Sequence, residues 1–190
     1  MSEINVLDKA FEGGDFSHQH LAKGEYENCK FTNCNFSECN LSNFKFIDCN
    51  FSGCNLSLVN LSHALLRDIS FNNCKMLGIR FDVCNEFGLS FSINGCQLNH
   101  SSFYKTKIKK TFFKDSQLQE VDFSECDLSG SVFENCNLLQ ATFDRTNLEK
   151  CDFRSAYNYS FDPEKNKIKK ARFSFPGVAG LLDKYDIEVD

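Results

Sequence analysis

A large apolar residue returns at every fifth position along most of this chain, and no other feature restricts its folds so tightly. The run Cys29, Lys30, Phe31, Thr32, Asn33, Cys34, Asn35, Phe36, Ser37, Glu38, Cys39, Asn40, Leu41 shows the unit. A small residue is followed by a polar one, then Phe or Leu, then two more polar residues. With the large residue as position i, the small one is i−2. A period of five matches neither the helical turn of about 3.6 residues nor the alternation of a strand. A short repeat kept over most of a sequence marks a solenoid.

The spacing sets the geometry. Residues two apart on an extended segment share a face, so i−2 and i both point inward. The other three point outward and must turn a corner. Four such sides close a square coil of about twenty residues, and each coil lies ~4.8 Å from the next. Some seven coils would make a rod of roughly 34 Å. Phe and Leu stack inside, small i−2 residues leave room for them, and Ser, Asn and Asp fill the corners.

The large positions run in frame from Phe16 to Phe81, meet Glu86 where an apolar residue is due, and return at Phe91. From Leu98 to Phe153 the period holds two residues out of phase. A two-residue frame slip is therefore expected within 92–97, where Asn94-Gly95 supplies a turn dipeptide. The chain divides into a lead-in over 1–10, a repeat region over 11–156 and a C-terminal module over 157–190. In that module Pro176 can open a helix, and Val178, Leu181, Leu182 and Tyr185 follow helical spacing. Ile187 and Val189 then alternate. A solenoid end needs a cap, and one this apolar is expected to bury a second copy as well, giving a homodimer.

All eleven cysteines fall at i−2. Ala64, Ala141, Ser131 and Thr146 occupy the same position elsewhere, so the thiols are expected to act as small buried packing groups. A disulfide framework favours an even count in a secreted chain, and a metal site needs clustered ligands. No metal and no cofactor is expected.

Composition excludes more. The net charge of −5 and pI near 5.4 disfavour direct nucleic acid binding. No apolar run reaches the ~20 residues of a membrane span. The N-terminus has no basic region followed by an apolar one, so a cytoplasmic protein is expected. The four histidines fall at outward positions, with no nucleophile arranged beside them. The convex walls offer no cleft for acid–base chemistry, and no enzyme is expected.

The A/C-N/D-F/L-x-x pattern resembles the pentapeptide-repeat proteins over about three quarters of the chain. That resemblance implies an all-β solenoid, a right-handed quadrilateral β-helix, here with a short C-terminal capping helix. The ending from Phe161-Asp162-Pro163 through Ala171-Arg172-Phe173 to Leu181-Leu182, and Leu77-Gly78-Ile79-Arg80-Phe81 with Cys84 after it, resembles the Qnr-like and microcin-immunity branch. This narrower resemblance implies a DNA-mimicking binder of DNA gyrase or topoisomerase IV that protects against fluoroquinolones or related poisons. Acidic residues on the wall would stand in for phosphates, with Glu120, Asp122, Glu125, Asp127, Asp144 and Asp152 as candidates. The cap residues Val178, Leu181, Leu182, Tyr185, Ile187 and Val189 would form the dimer interface. The chain departs from the plasmid-borne Gram-negative members, which carry two extruded loops, and looks more like loop-poor Gram-positive homologues. The alternative is an interaction scaffold without a topoisomerase partner.

Two surface features stand apart. Ile47, Leu65 and Phe87 take outward positions near Glu86. They form either an exposed patch that binds a partner or one covered by the N-terminal residues or the 92–97 insertion. Glu86 itself must point outward through a distortion or find a partner, since a buried lone carboxylate is costly. Stacking at twenty residues also predicts two charge ladders, Lys105–Glu125–Arg145 and Lys114–Glu134–Arg154. Lys107, Lys109 and Lys110 are left as a solvated face or, in a rival reading, a nucleic-acid contact.

Overall fold

The computed structural model describes residues 4–188. It is an all-β parallel solenoid of about seven turns. One side begins as a four-stranded sheet: β1 (Ile4–Leu7), β3 (Gly24–Glu27), β5 (Lys45–Ile47) and β7 (Leu65–Arg67). A second side carries seven strands: β2 (Ala10–Glu12), β4 (Lys30–Thr32), β6 (Asn50–Ser52), β8 (Ile69–Asn72), β9 (Phe91–Asn94), β10 (Phe112–Lys114) and β11 (Val132–Glu134). The other two sides are built from isolated parallel bridges such as Asn35 with Asn55 and Asp122 with Thr142. Pairing is parallel with a twenty-residue offset, as in Phe31 opposite Phe51.

The i residues stack in columns. Phe113 and Phe133 lie 4.9 Å apart and 3° from parallel, and Phe133 stacks on Phe153 at 4.8 Å. Phe103, Phe123 and Phe143 form the column of another side. The thiols explain the i−2 position. Cys54 donates to the carbonyl of Phe31 at 3.3 Å, Cys74 to that of Phe51 at 3.4 Å and Cys151 to that of Leu128 at 2.9 Å. Thr146 makes the same bond to Phe123 at 2.9 Å and Ser131 to Ile108 at 3.3 Å. At these i−2 positions the thiol or hydroxyl gives its proton to a carbonyl of the coil before it. All eleven cysteines are free.

Outside, Asn or Asp at i−1 accepts from the amide two residues on, as in Asn35 to Ser37 at 3.1 Å and Asp122 to Ser124 at 2.8 Å. The corners need a left-handed residue, and Asn28, Asn33, Asp48 and Asn73 all have φ near +50°.

Three expected boundaries move. Strand β1 pairs with β3, with Val6 opposite Tyr26, so the coil reaches back into the presumed lead-in. Lys167 pairs with Asn147 and Arg172 with Asp152, and Phe173 stacks on Phe153 at 5.4 Å. The solenoid therefore runs on past 156. The frame slip also lies earlier than 92–97. Ile69 faces Phe91 and Phe71 faces Ile93, an offset already two residues longer. Upstream, the Asn85 amide still bonds Ala64 at the ordinary spacing. The extra residues therefore lie between Asn85 and Ser90, while Asn94-Gly95 makes an ordinary corner. Phe91 is thus an i−2 residue, and Ile93 takes the i position.

The capping helix forms as two short 3-10 helices, Pro176–Leu181 and Asp183–Tyr185. It packs tightly: a side chain at Gly180 would collide with the carbonyl oxygen of Tyr159, and one at Gly177 with the Tyr159 hydroxyl. The Phe161 amide donates to Gly180, and Lys184 bridges Asp162 and Glu164 at 2.7 and 2.8 Å.

Candidate functional site

The six acidic candidates do not form one wall. The square frame places Asp122, Glu125 and Asp144 on one side, and Glu120, Asp127 and Asp152 one each on the other three. The sequence reading treated neighbours in the chain as neighbours on a surface, whereas five residues further on is the next side. Most of the six are also engaged. Glu125 meets Lys105 at 3.6 Å and Arg145 at 3.2 Å, so the first charge ladder forms as expected. Asp144 meets Arg145 at 3.3 Å, and Glu120 meets His100 at 3.2 Å. Asp127 meets Lys109 at 3.2 Å. In the second ladder Lys114 reaches Glu134 at 2.9 Å, but Arg154 turns to Asp152 at 2.8 Å, which also holds Arg172 at 3.0 Å.

Electrostatics follow these pairings. Hydrogen bonds from the Arg154 side chain hold the Asp152 carboxyl below its ordinary range. Burial pushes the thiols of Cys126, Cys136 and Cys151 up to about 12. Among the described residues no group of three or more His, Cys, Asp or Glu could hold a metal ion. No helix among them is long and apolar enough to cross a membrane.

The apolar patch is smaller than the sequence suggests. Ile47 is buried, flanked in register by Glu27 and Arg67, and Leu65 is half-buried. The insertion bulges outward, exposing Glu86 and leaving Phe87 80% exposed, while Leu89 takes the core position. Ile47 is thus closed into the wall itself, and Phe87 stands out from it.

Of the cap residues, Leu181 is buried in its own chain's core and Leu182 is half-buried. Val178, Tyr185 and Ile187 are exposed, and Val189 lies outside the described residues. Sequence reasoning missed Phe175, which is 96% exposed just before Pro176. It precedes Pro176, where the helix is expected to open, so the helical spacing is counted from after it. Beside it opens a hollow of about 870 Å³ lined by Leu139, Tyr157, Tyr159, Phe161, Pro176 and Gly180 among others. The buried Tyr159 hydroxyl has no hydrogen-bond partner among the described residues.

A rod with parallel twenty-residue coils, thiols packed inside it and a folded end defines a pentapeptide-repeat solenoid. The sequence profile of the pentapeptide repeat region matches residues 24–92 and 90–159, well over half of the chain, which therefore belongs to that family. Among solved structures, the chain is similar to full-length QnrB1, a plasmid-mediated fluoroquinolone resistance protein. The TM-score is 0.64 at 18% identity, over 96% of this chain and 100% of that one. A trypsin-treated QnrB1 gives a TM-score of 0.63 at 17% identity over 100% of both chains. At this identity the likeness shows the fold. No curated protein matches.

Proposed function

We propose that this protein is a non-enzymatic binder of bacterial type II topoisomerases, DNA gyrase or topoisomerase IV. It occupies a groove that otherwise holds a DNA duplex, and so relieves poisoning by fluoroquinolones or related toxins. The observation that carries this reading is the end-to-end match to a fluoroquinolone resistance protein, coils and C-terminal end together. Asp122, Glu125 and Asp144 are the phosphate stand-ins, because they alone among the candidates share a side. The ion pairs of Glu125 with Lys105 and Arg145, and of Asp144 with Arg145, are at the surface, worth about 0–1 kcal/mol each, and can be exchanged for a partner's cations. Two copies join tail to tail through Phe175, Val178, Tyr185 and Ile187. The open hollow and the exposed Phe175 beside it support that pairing.

The experiment is a gyrase supercoiling assay with ciprofloxacin, titrating in this protein. Rescue at or below equal amounts supports the reading. Inhibition alone, or no effect, overturns it. It would favour the scaffold reading, for which the exposed Phe87 is the available anchor.

A further inference from the structure

The corner column of one side segregates its charge. Its first four rows are Asp8, Asn28, Asp48 and Asp68, and its last four are Lys110, Gly130, Lys150 and Lys170. All eight adopt the left-handed conformation that turns the corner, as does Gly88 of the insertion between them. Hydrogen bonds hold the rows in line: the amides of Asp8, Asn28 and Asp48 donate to Glu27, Ile47 and Arg67 one coil on. Those of Lys110, Gly130 and Lys150 donate likewise to Ser129, Glu149 and Lys169. A half without a base is thus followed by a half without an acid, and the exposed Phe87 stands beside the midpoint.

These charges are available. Lys110, Lys150 and Lys170 make no ion pair among the described residues. Asp8 accepts from Asn28 at 2.6 Å and Asp68 from Ser90 at 3.0 Å, both neutral donors. In sequence the pattern is hidden, because its members stand about twenty residues apart inside unrelated local runs.

We propose that this corner is a self-pairing edge, on which a second copy of the chain docks antiparallel across a twofold axis at Ser90, the residue in register between Asp68 and Lys110. That axis sets Asp68 opposite the partner's Lys110, Asn28 opposite the partner's Lys150 and Asp8 opposite the partner's Lys170. Each pair occurs twice, as an isologous contact requires, and the two Phe87 rings meet at the centre. A copy docked parallel and in line would instead oppose like charges. Corners are the most protruding part of a square rod, so two rods lying side by side touch there first. The contact is narrow and its ion pairs are exposed, so the association is weak and screened by salt. It lies along the rod, apart from the cap, and stands independently of the topoisomerase reading.

The test mixes isotope-labelled and unlabelled full chains and treats them with a carbodiimide, which joins a carboxylate to an amine in direct contact. Asp8 and Lys170 lie at opposite ends of the column, so a bond between them within one chain is geometrically impossible. At about 25 mM salt we expect Asp8–Lys170 crosslinks that mix the isotopes, and at about 500 mM salt their loss. D68K alone and K110D alone should each reduce them at least tenfold, and D68K with K110D in the same chain should restore them. Absence of the crosslink at low salt, persistence in either single variant, or failure of the double variant to restore it overturns the proposal. A chain that gives these results without protecting gyrase keeps the edge and loses only the topoisomerase function.

Discussion

The thiol of Cys54 donates to the backbone carbonyl of Phe31, twenty-three residues earlier and 3.3 Å away. That bond ties one side of a coil to the neighbouring side of the coil before it. Repeated along the rod, it makes cysteine a structural residue here, with its proton held in place by burial.

Stability should therefore fall in alkali. Burial pushes Cys126, Cys136 and Cys151 up to about 12 in the folded state, against an ordinary value of 9.0. Above about pH 8.5–9 the unfolded chain loses these protons and the folded chain keeps them, so stability drops as pH rises toward 12. Below that window the contribution is complete. Each thiol accounts for at most about 1.4 kcal/mol per pH unit. Urea midpoints at pH 8 and 10 check this, and replacing the three thiols by serine, which Ser131 shows the position accepts, should flatten the slope.

The ring columns should carry much of the stability. Phe133 is fully buried between Phe113 and Phe153. Phe133→Ala is expected to cost about 3–5 kcal/mol, read as a lower urea midpoint with an unchanged slope. An effect below about 1 kcal/mol would mean the column collapses to fill the gap.

Gly180→Ala should detach the cap. Its methyl group has no space against the Tyr159 carbonyl oxygen. Hydrogen exchange across 176–185 is expected to rise by at least tenfold, while the coils around Phe113 keep their protection. Under the proposed tail-to-tail pairing, light scattering should then give a mass nearer the 21.7 kDa of one chain than twice that value.

Within the proposed topoisomerase reading, Asp122→Asn combined with Asp144→Asn should lower protection several-fold, because both share the side of Glu125. Glu120→Gln should leave it unchanged, since Glu120 faces another side. The supercoiling assay with ciprofloxacin distinguishes these outcomes, and equal loss from both changes would show that the side is not the determinant.

The repeat itself was legible in the sequence. A five-residue period leaves no other way to bury Phe31, Phe36 and Leu41 at once, and the small residue two places earlier specifies a thiol, hydroxyl or methyl. Inward positions, stacked columns and the Lys105–Glu125–Arg145 ladder all follow from that one period. The location of the slip did not follow. Phe91 fits either frame by composition, and only the pairing of Ile69 with Phe91 fixes it. Nor was the charge pattern legible. Which carboxylates face together depends on the corner taken after every fifth residue, and which remain unpaired depends on the reach of side chains one coil away. Local periodicity determined the fold because burial acts on residues a few positions apart. The surface was left to the tertiary structure, because its neighbours are about twenty residues apart and meet only when the coils stack.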